Sequence, residues 1–178
     1  TWMGEIYAVL TGVLVFFWFI ENMPIDELNL NERSFNGMTL LHFAAESNNL
    51  SIAQYLIESN IEIDFKSDFD EDNIETPFYL ACNYDCVGIV KMICDHCGDE
   101  IPKEAILEGM SVCIASNSAH SLAFLVIFAE EASFNGDFPY KISLEEWNEL
   151  NENCNDGDVN QKSEITNILD NLKEMVTS

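Results

Sequence analysis

Positive charge is scarce in this chain: 7 Lys and Arg stand against 32 Asp and Glu in 178 residues, a net charge of −25. A surface of that sign repels phosphate backbones and acidic headgroups, which argues against direct nucleic-acid binding and against docking on anionic lipid. It draws basic partners instead, at rates that fall as salt is added. Also missing is an apolar run of the roughly 20 residues that a spanning helix needs. The eight-residue run Val13 to Ile20 lies inside a stretch bounded by Glu5 and Glu21 that also holds Thr11 and Gly12. No Lys or Arg occurs from Thr1 to Ile20, so the positive start of a secretory signal is absent. No membrane span is expected.

Catalytic signatures are absent too. The chain has no glycine-rich phosphate loop, no G-x-S-x-G elbow, no H-E-x-x-H pair and only 3 histidines. We read it as non-enzymatic and without a cofactor. The 6 cysteines do not make a disulfide scaffold, because a chain of this length can bury a core of its own. They read as reduced thiols in an intracellular protein, cytoplasmic or nuclear. Hydrophobic residues at 48% and charged residues at 22% are the proportions of a folded chain.

What the sequence does have is an internal repeat. Residues 36–64, NGMTLLHFAAESNNLSIAQYLIESNIEID, align with 73–101, NIETPFYLACNYDCVGIVKMICDHCGDEI, at a constant offset of 37. Thr39 meets Thr76, Ala44 meets Ala81, Ile52 meets Ile89 and Leu56 meets Ile93. With Gly37, Thr39, Leu41, His42, Ala44, Ala45, Leu50, Ile52 and Leu56, the first copy resembles an ankyrin repeat. The second copy keeps Thr76-Pro77, Ala81 and Ile89-Val90-Lys91. Four residues beyond the usual period fall in 65–75, a connecting finger.

Weaker copies flank these two. SAHSLAFLVIF, 118–128, repeats the second-helix pattern, with Leu122 placed 33 residues after Ile89. The third copy has lost the Thr-Pro start and has Pro102 in its place, suited to the first turn of a helix. A capping box, Ser143 with Glu146, opens a helix that buries Leu144, Trp147 and Leu150, and SEITNILDNLKEMV has Ile165, Ile168, Leu169, Leu172, Met175 and Val176 at helical spacing. The opening run aligns with 50–57, so Val15 falls on Ile52 and Trp18, Phe19 and Ile20 on Tyr55, Leu56 and Ile57. The resemblance implies an all-α ankyrin-repeat solenoid of about five helix-turn-helix pairs with short projecting hairpin fingers. It is one domain over 1–178, with approximate repeats 1–33, 34–66, 67–101, 102–135 and 136–178. No single pair could bury its apolar face alone.

Three features invite a chemical reading, and each yields to a structural one. His42 opens a repeat as Thr-x-x-His, and Tyr79 replaces it in the next copy, which a catalytic role would not allow. The cluster Cys82, Cys86, Cys94 and Cys97 with His96 has the composition of a zinc site. In the repeat frame, however, Cys82 takes the place of Ala45 and Cys94 that of Ile57, while Cys86 and Cys97 fall at opposite ends of one helix, well over ~10 Å apart. Buried thiols, not a metal site, are expected. The acidic finger 68–72 fails the calcium-loop pattern, since Asn73 and Tyr79 stand where Gly and Glu are required.

The resemblance implies a binding module that grips protein partners with its fingers and inner helices. Carried onto this chain, those positions are Phe35, Asn36, Met38, Glu46 and Ser47, then Asp72, Asn73, Glu75, Asn83 and Tyr84, then Ser116 and Asn117. Aromatic and apolar anchors among carboxylates suit a basic protein segment, and an adaptor or escort is the leading expectation. The first alternative is a structural domain that stacks on a folded partner or on itself. It rests on Leu14 and Phe17, which stand where the next copy has Ser51 and Gln54 and which leave an uncapped apolar end. A metal-dependent regulator or enzyme subunit is the second alternative. The start Thr1-Trp2-Met3 reads as that of a fragment or a processed chain.

Overall fold

A computed structural model describes residues 29–34, 37–65, 76–134, 142–154 and 163–177. Among the described residues there are eight α-helices and no strand: α1 (Leu40–Glu46), α2 (Leu50–Glu58), α3 (Pro77–Asn83), α4 (Val87–Cys97), α5 (Lys103–Ser116), α6 (Ala119–Phe134), α7 (Leu144–Cys154) and α8 (Ser163–Thr177). They pack as consecutive pairs in two layers. One layer is α1, α3, α5 and α7, each against the next, and the other is α2, α4, α6 and α8. The opening run, with Leu14 and Phe17, lies outside the described residues.

Each start signal in the sequence does what its chemistry allows. The Thr76 hydroxyl accepts from the Tyr79 backbone N–H at 3.1 Å, with Pro77 in the first turn. The Asn49 side chain accepts from the Ile52 N–H at 3.2 Å. Ser143 and Glu146 satisfy one another's backbone N–H groups, at 3.2 and 2.7 Å, in the reciprocal pattern of a capping box. His42 is a structural residue: its Nδ1 accepts from the Thr39 N–H at 2.9 Å and lies 2.8 Å from the Thr39 hydroxyl. The turns between paired helices pass through left-handed backbone at Asn48, Asp85 and Asn117, residue types that tolerate it.

One hydrogen bond recurs through three pairs and fixes the register. Asn49 donates to the Ala44 carbonyl, Cys86 to Ala81 and Ser118 to Cys113, all at 2.8 Å. The spacing from pair to pair is therefore 37 residues and then 32. Leu122 accordingly takes the place of Val90, not of Ile89, and the expected 33-residue spacing is one too long. The turn itself is the same length in both pairs, since each recurring bond spans five residues, so the shortening lies upstream of Cys113. There α5 starts early, so Gly98–Glu100, a 3-10 turn, and Pro102 link it directly to α4 with no finger between them.

The layers meet through small side chains. Ala44, Ala45, Ala81 and Cys82 are at most 2% exposed, where α1, α3 and α5 approach. Gly109 in α5 belongs to the same seam: a Cβ there would stand 2.9 Å from Phe78 Cε1, 3.2 Å from Cys82 Sγ and 3.4 Å from Leu125 Cδ1. Around it α6 packs on α4, α5 and α8 with Leu122, Leu125, Val126 and Ala129 buried, while Ile127 is 51% exposed on its outer side. In the last pair Trp147 and Leu150 are buried, and the Trp147 indole donates to the Leu169 carbonyl at 3.0 Å. Leu144, read from the sequence as buried, is 50% exposed. It is the first residue of its helix, and the apolar stripe begins a turn later.

Two glycines give a direct test of this packing. Gly109→Ala should lower stability by about 1–3 kcal/mol through overpacking against Phe78 and Cys82. Gly88→Ala should be neutral, or stabilising by up to about 1 kcal/mol. There the obstacle is only the Leu50 Cδ2 atom at 2.5 Å, at the end of an exposed side chain that can turn away. Urea denaturation followed by circular dichroism would separate the two.

Candidate functional site

Local sequence shapes a cavity between the first two repeats. In Ile61-Glu62-Ile63-Asp64-Phe65 the apolar residues turn inward, Ile61 buried and Ile63 and Phe65 packed on the core. Strict alternation then sends Glu62 and Asp64 to the same outer side. Phe65 meets Phe78 edge to face with ring centroids 5.7 Å apart. Opposite lies the segment 29–34 and the tight turn that follows it, where Ser34 N–H donates to Met38 O at 2.8 Å and Gly37 takes a φ of 75°. The two segments are joined by Glu62 N–H donating to the Asn31 side chain at 3.0 Å. Between them is a cavity of about 260 Å³ with Asn31, Arg33, Glu62 and Asp64 on its sides and Thr39, His42 and Pro77 at its floor.

Arg33 spans the mouth. Its Nη1 donates to the Gly37 carbonyl at 3.2 Å, and its Nη2 lies 3.6 Å from Asp64 Oδ2. Both side chains are about half exposed, at 53% and 49%, so this ion pair contributes little to stability. The site was not among the sequence-derived candidates, although the alternating I-E-I-D-F pattern was the signal that places both carboxylates on one face.

The predicted partner-contacting residues fall into two groups. Met38 stands beside the cavity, partly buried against the core. Phe35, Asn36, Asp72, Asn73 and Glu75 lie outside the described residues. The other six, Glu46, Ser47, Asn83, Tyr84, Ser116 and Asn117, form a row at the C-terminal ends of α1, α3 and α5. Those ends are ~10 Å from the cavity along the seven-residue helices α1 and α3. Several members of the row serve the helix ends. Ser47 and Ser116 hydroxyls donate to the Phe43 and Val112 carbonyls at 2.7 Å, and the Asn83 carbonyl accepts from Ser118 at 3.0 Å. All of the row but Asn83 is exposed, and Glu46, Asn117 and the 51% exposed Tyr84 ring are its larger outward side chains.

The cysteines belong to the scaffold. Cys86 Sγ donates to the Ala45 carbonyl at 3.3 Å and Cys113 Sγ to the Cys82 carbonyl at 3.7 Å. Each thiol thus reaches an end carbonyl of the preceding inner helix, one that also accepts a turn N–H, from Asn48 at 3.1 Å on Ala45 and from Asp85 at 3.3 Å on Cys82. The Ser118 hydroxyl likewise reaches the Asn83 carbonyl. The contact with Cys113, together with burial, pushes the Cys82 thiol up, and burial does the same to Cys94. Both are therefore poor nucleophiles and poor metal ligands. Among the described residues no three His, Cys, Asp or Glu side chains gather as a metal would require.

A charged clasp holds the turn after α3 to the next pair. Asp85 accepts from the Ser121 N–H at 2.8 Å and lies 2.7 Å from His120 Nδ1. Burial opposes ionisation of Asp85, but the hydrogen bonds from His120 and Ser121 outweigh it and hold the carboxyl below its ordinary value. The hydrogen bond to Asp85 lifts His120, aided by Glu164 and slightly opposed by burial. Farther along, Lys103 Nζ reaches the Glu146 carboxylate at 2.7 and 2.9 Å and ties α5 to α7.

Two layers of stacked helix pairs, each pair dependent on its neighbours, define a helical-repeat solenoid. A family model of ankyrin repeats in three copies matches residues 6–105, and the chain belongs to the ankyrin-repeat family. The match takes in the opening apolar run and ends just after α5 begins, where the finger and the Thr-Pro start are missing. Comparison with curated proteins and with solved structures gives no match. Ankyrin repeats are protein–protein interaction modules, and the family is typically non-catalytic. Among the described residues no helix is long and apolar enough to cross a membrane.

The clasp predicts a pH response with a definite sign. Because His120 is raised in the folded chain, its contribution is complete below ~6.5 and is lost as pH rises through the folded value. Asp85, lowered, contributes above ~3.9 and loses its contribution as pH falls. Thermal melts should therefore show wild type losing stability relative to His120→Gln between pH 6 and pH 8. An equal difference between the two at both pH values would show that protonation of His120 is irrelevant.

Proposed function

We propose that this chain is a non-catalytic intracellular adaptor or escort, cytoplasmic or nuclear, that binds a basic segment of a partner protein on its concave face. The observation that carries this reading is the cavity between the first two repeats, whose outward carboxylates Glu62 and Asp64 stand on a chain of net charge −25. Cationic side chains are drawn to such a surface over distances set by ionic strength. Tyr84 and Glu46, at the far ends of the same helices, would take the apolar and charged residues that follow along the segment. The finger residues Asp72, Asn73 and Glu75 complete the acidic side in this reading.

Fluorescence anisotropy with a labelled hexa-lysine peptide tests it. Binding should be clear at low ionic strength and should weaken steeply as salt is added. Asp72→Lys with Glu75→Lys, or Glu62→Lys with Glu46→Lys, should each reduce affinity roughly tenfold, taking about 0.7 kcal/mol for each exposed reversal. Affinity indifferent both to salt and to these reversals would exclude the proposal.

A further inference from the structure

We propose that Arg33 is an internal substitute for the partner's cation: its guanidinium covers Asp64 at the cavity mouth in the free chain and yields that carboxylate to a lysine or arginine side chain of the bound segment. This rests on the basic-segment reading and names the event at the centre of it. Arg33 is the single arginine of the sequence, and it stands at the mouth of this cavity. Its guanidinium bridges two elements, the Gly37 carbonyl in the turn of its own segment and Asp64 in the facing one. At 3.6 Å, with both side chains about half exposed, the contact to Asp64 is weak and readily exchanged. The bond to Gly37 O, at 3.2 Å, keeps the side chain at the rim when it lets go.

The balance of charge selects the ligand. Arg33, Glu62 and Asp64 sum to one negative charge around the cavity, within a chain of −25. An anion would enter against that field and a cation with it. The space, about 260 Å³, exceeds several times the ~30 Å³ of a water molecule, which is room for the end of a basic side chain. An arriving cation replaces Arg33 on Asp64 and adds a contact to Glu62, so no carboxylate loses a partner in the exchange.

The test compares Arg33→Gln with Lys91→Gln, an equal loss of charge on the exposed face of α4, using the labelled hexa-lysine peptide at low ionic strength. Arg33→Gln should bind about two- to fivefold more tightly than wild type, Lys91→Gln should match wild type, and Arg33→Lys should restore wild-type affinity. Because the chain has one arginine, its Nε–Hε group gives a single NMR cross-peak. That peak should move toward the position of free arginine as hexa-lysine is added. Arg33→Gln binding no more tightly than Lys91→Gln, or an arginine peak that stays in place in a saturated complex, overturns the exchange while leaving basic-segment binding intact. Absence of binding by both wild type and Arg33→Gln overturns the basic-segment reading and the exchange with it.

Discussion

The close approach of the inner helices is the constraint on which the rest of the structure depends. Helices α1, α3 and α5 meet through Ala44, Ala45, Ala81, Cys82 and Gly109, and the space at Gly109 is too small for a methyl group. Holding the helices that close brings the thiols of Cys86 and Cys113 and the hydroxyl of Ser118 within reach of the end carbonyls Ala45, Cys82 and Asn83. The Ala45 and Cys82 carbonyls also accept turn N–H groups from Asn48 and Asp85, so the thiols add a second bond that crosses from one pair to the next. Small residues at the seam and polar hydrogens at the turns therefore work together: the first permit the approach, and the second tie the pairs across it. The cysteines, conspicuous in the sequence as a potential metal cluster, are explained by this role.

Beyond the seam, charge joins one pair to the next. Asp85 reaches forward to the start of α6, and Lys103 reaches forward to the capping carboxylate of α7. In each case an acidic group already engaged with a backbone N–H also holds a cation, so one carboxylate serves both a helix start and an inter-repeat tie. A chain with so few positive residues gains most by placing them where they do double service. Lys173 follows the same economy, its ammonium 4.9 Å from the centre of the Trp147 ring, whose indole N–H is bonded within the same helix pair.

Much of this was legible in the sequence. Start signals such as Thr76-Pro77 and Ser143 with Glu146 act locally, through side chains that reach only a few residues, so reading them needs no tertiary knowledge. The alternation of small and large apolar residues gave the two layers. The register of the third pair was not legible, because the shorter link between α4 and α5 is silent in an apolar pattern that fits equally well one position away. Leu144 misled for a related reason: periodicity marks a face but not where along the helix the neighbour begins. The cavity was missed because its walls come from segments some thirty residues apart, Asn31 and Arg33 against Glu62 and Asp64. Only the packing of α1 on α3 brings them together.

The asymmetry of the stack bears on where a partner would dock. Between α2 and α3 the connecting sequence is long, and the cavity is lined by residues just before and after it, Glu62, Asp64 and Pro77. Between α4 and α5 the connection shrinks to a 3-10 turn and Pro102, and α5 extends by about two turns into the space a finger would occupy. The contact of Arg33 with Asp64 joins two half-exposed side chains and is of the weak kind that exchanges readily. The partly buried ion pair of Lys103 with Glu146 instead couples α5 to α7, so one helix cannot shift against the other without breaking it. Of the described helix pairs, the earlier ones thus carry the exchangeable surface contact and the later ones the more enclosed tie, so binding as proposed would fall on the earlier pairs.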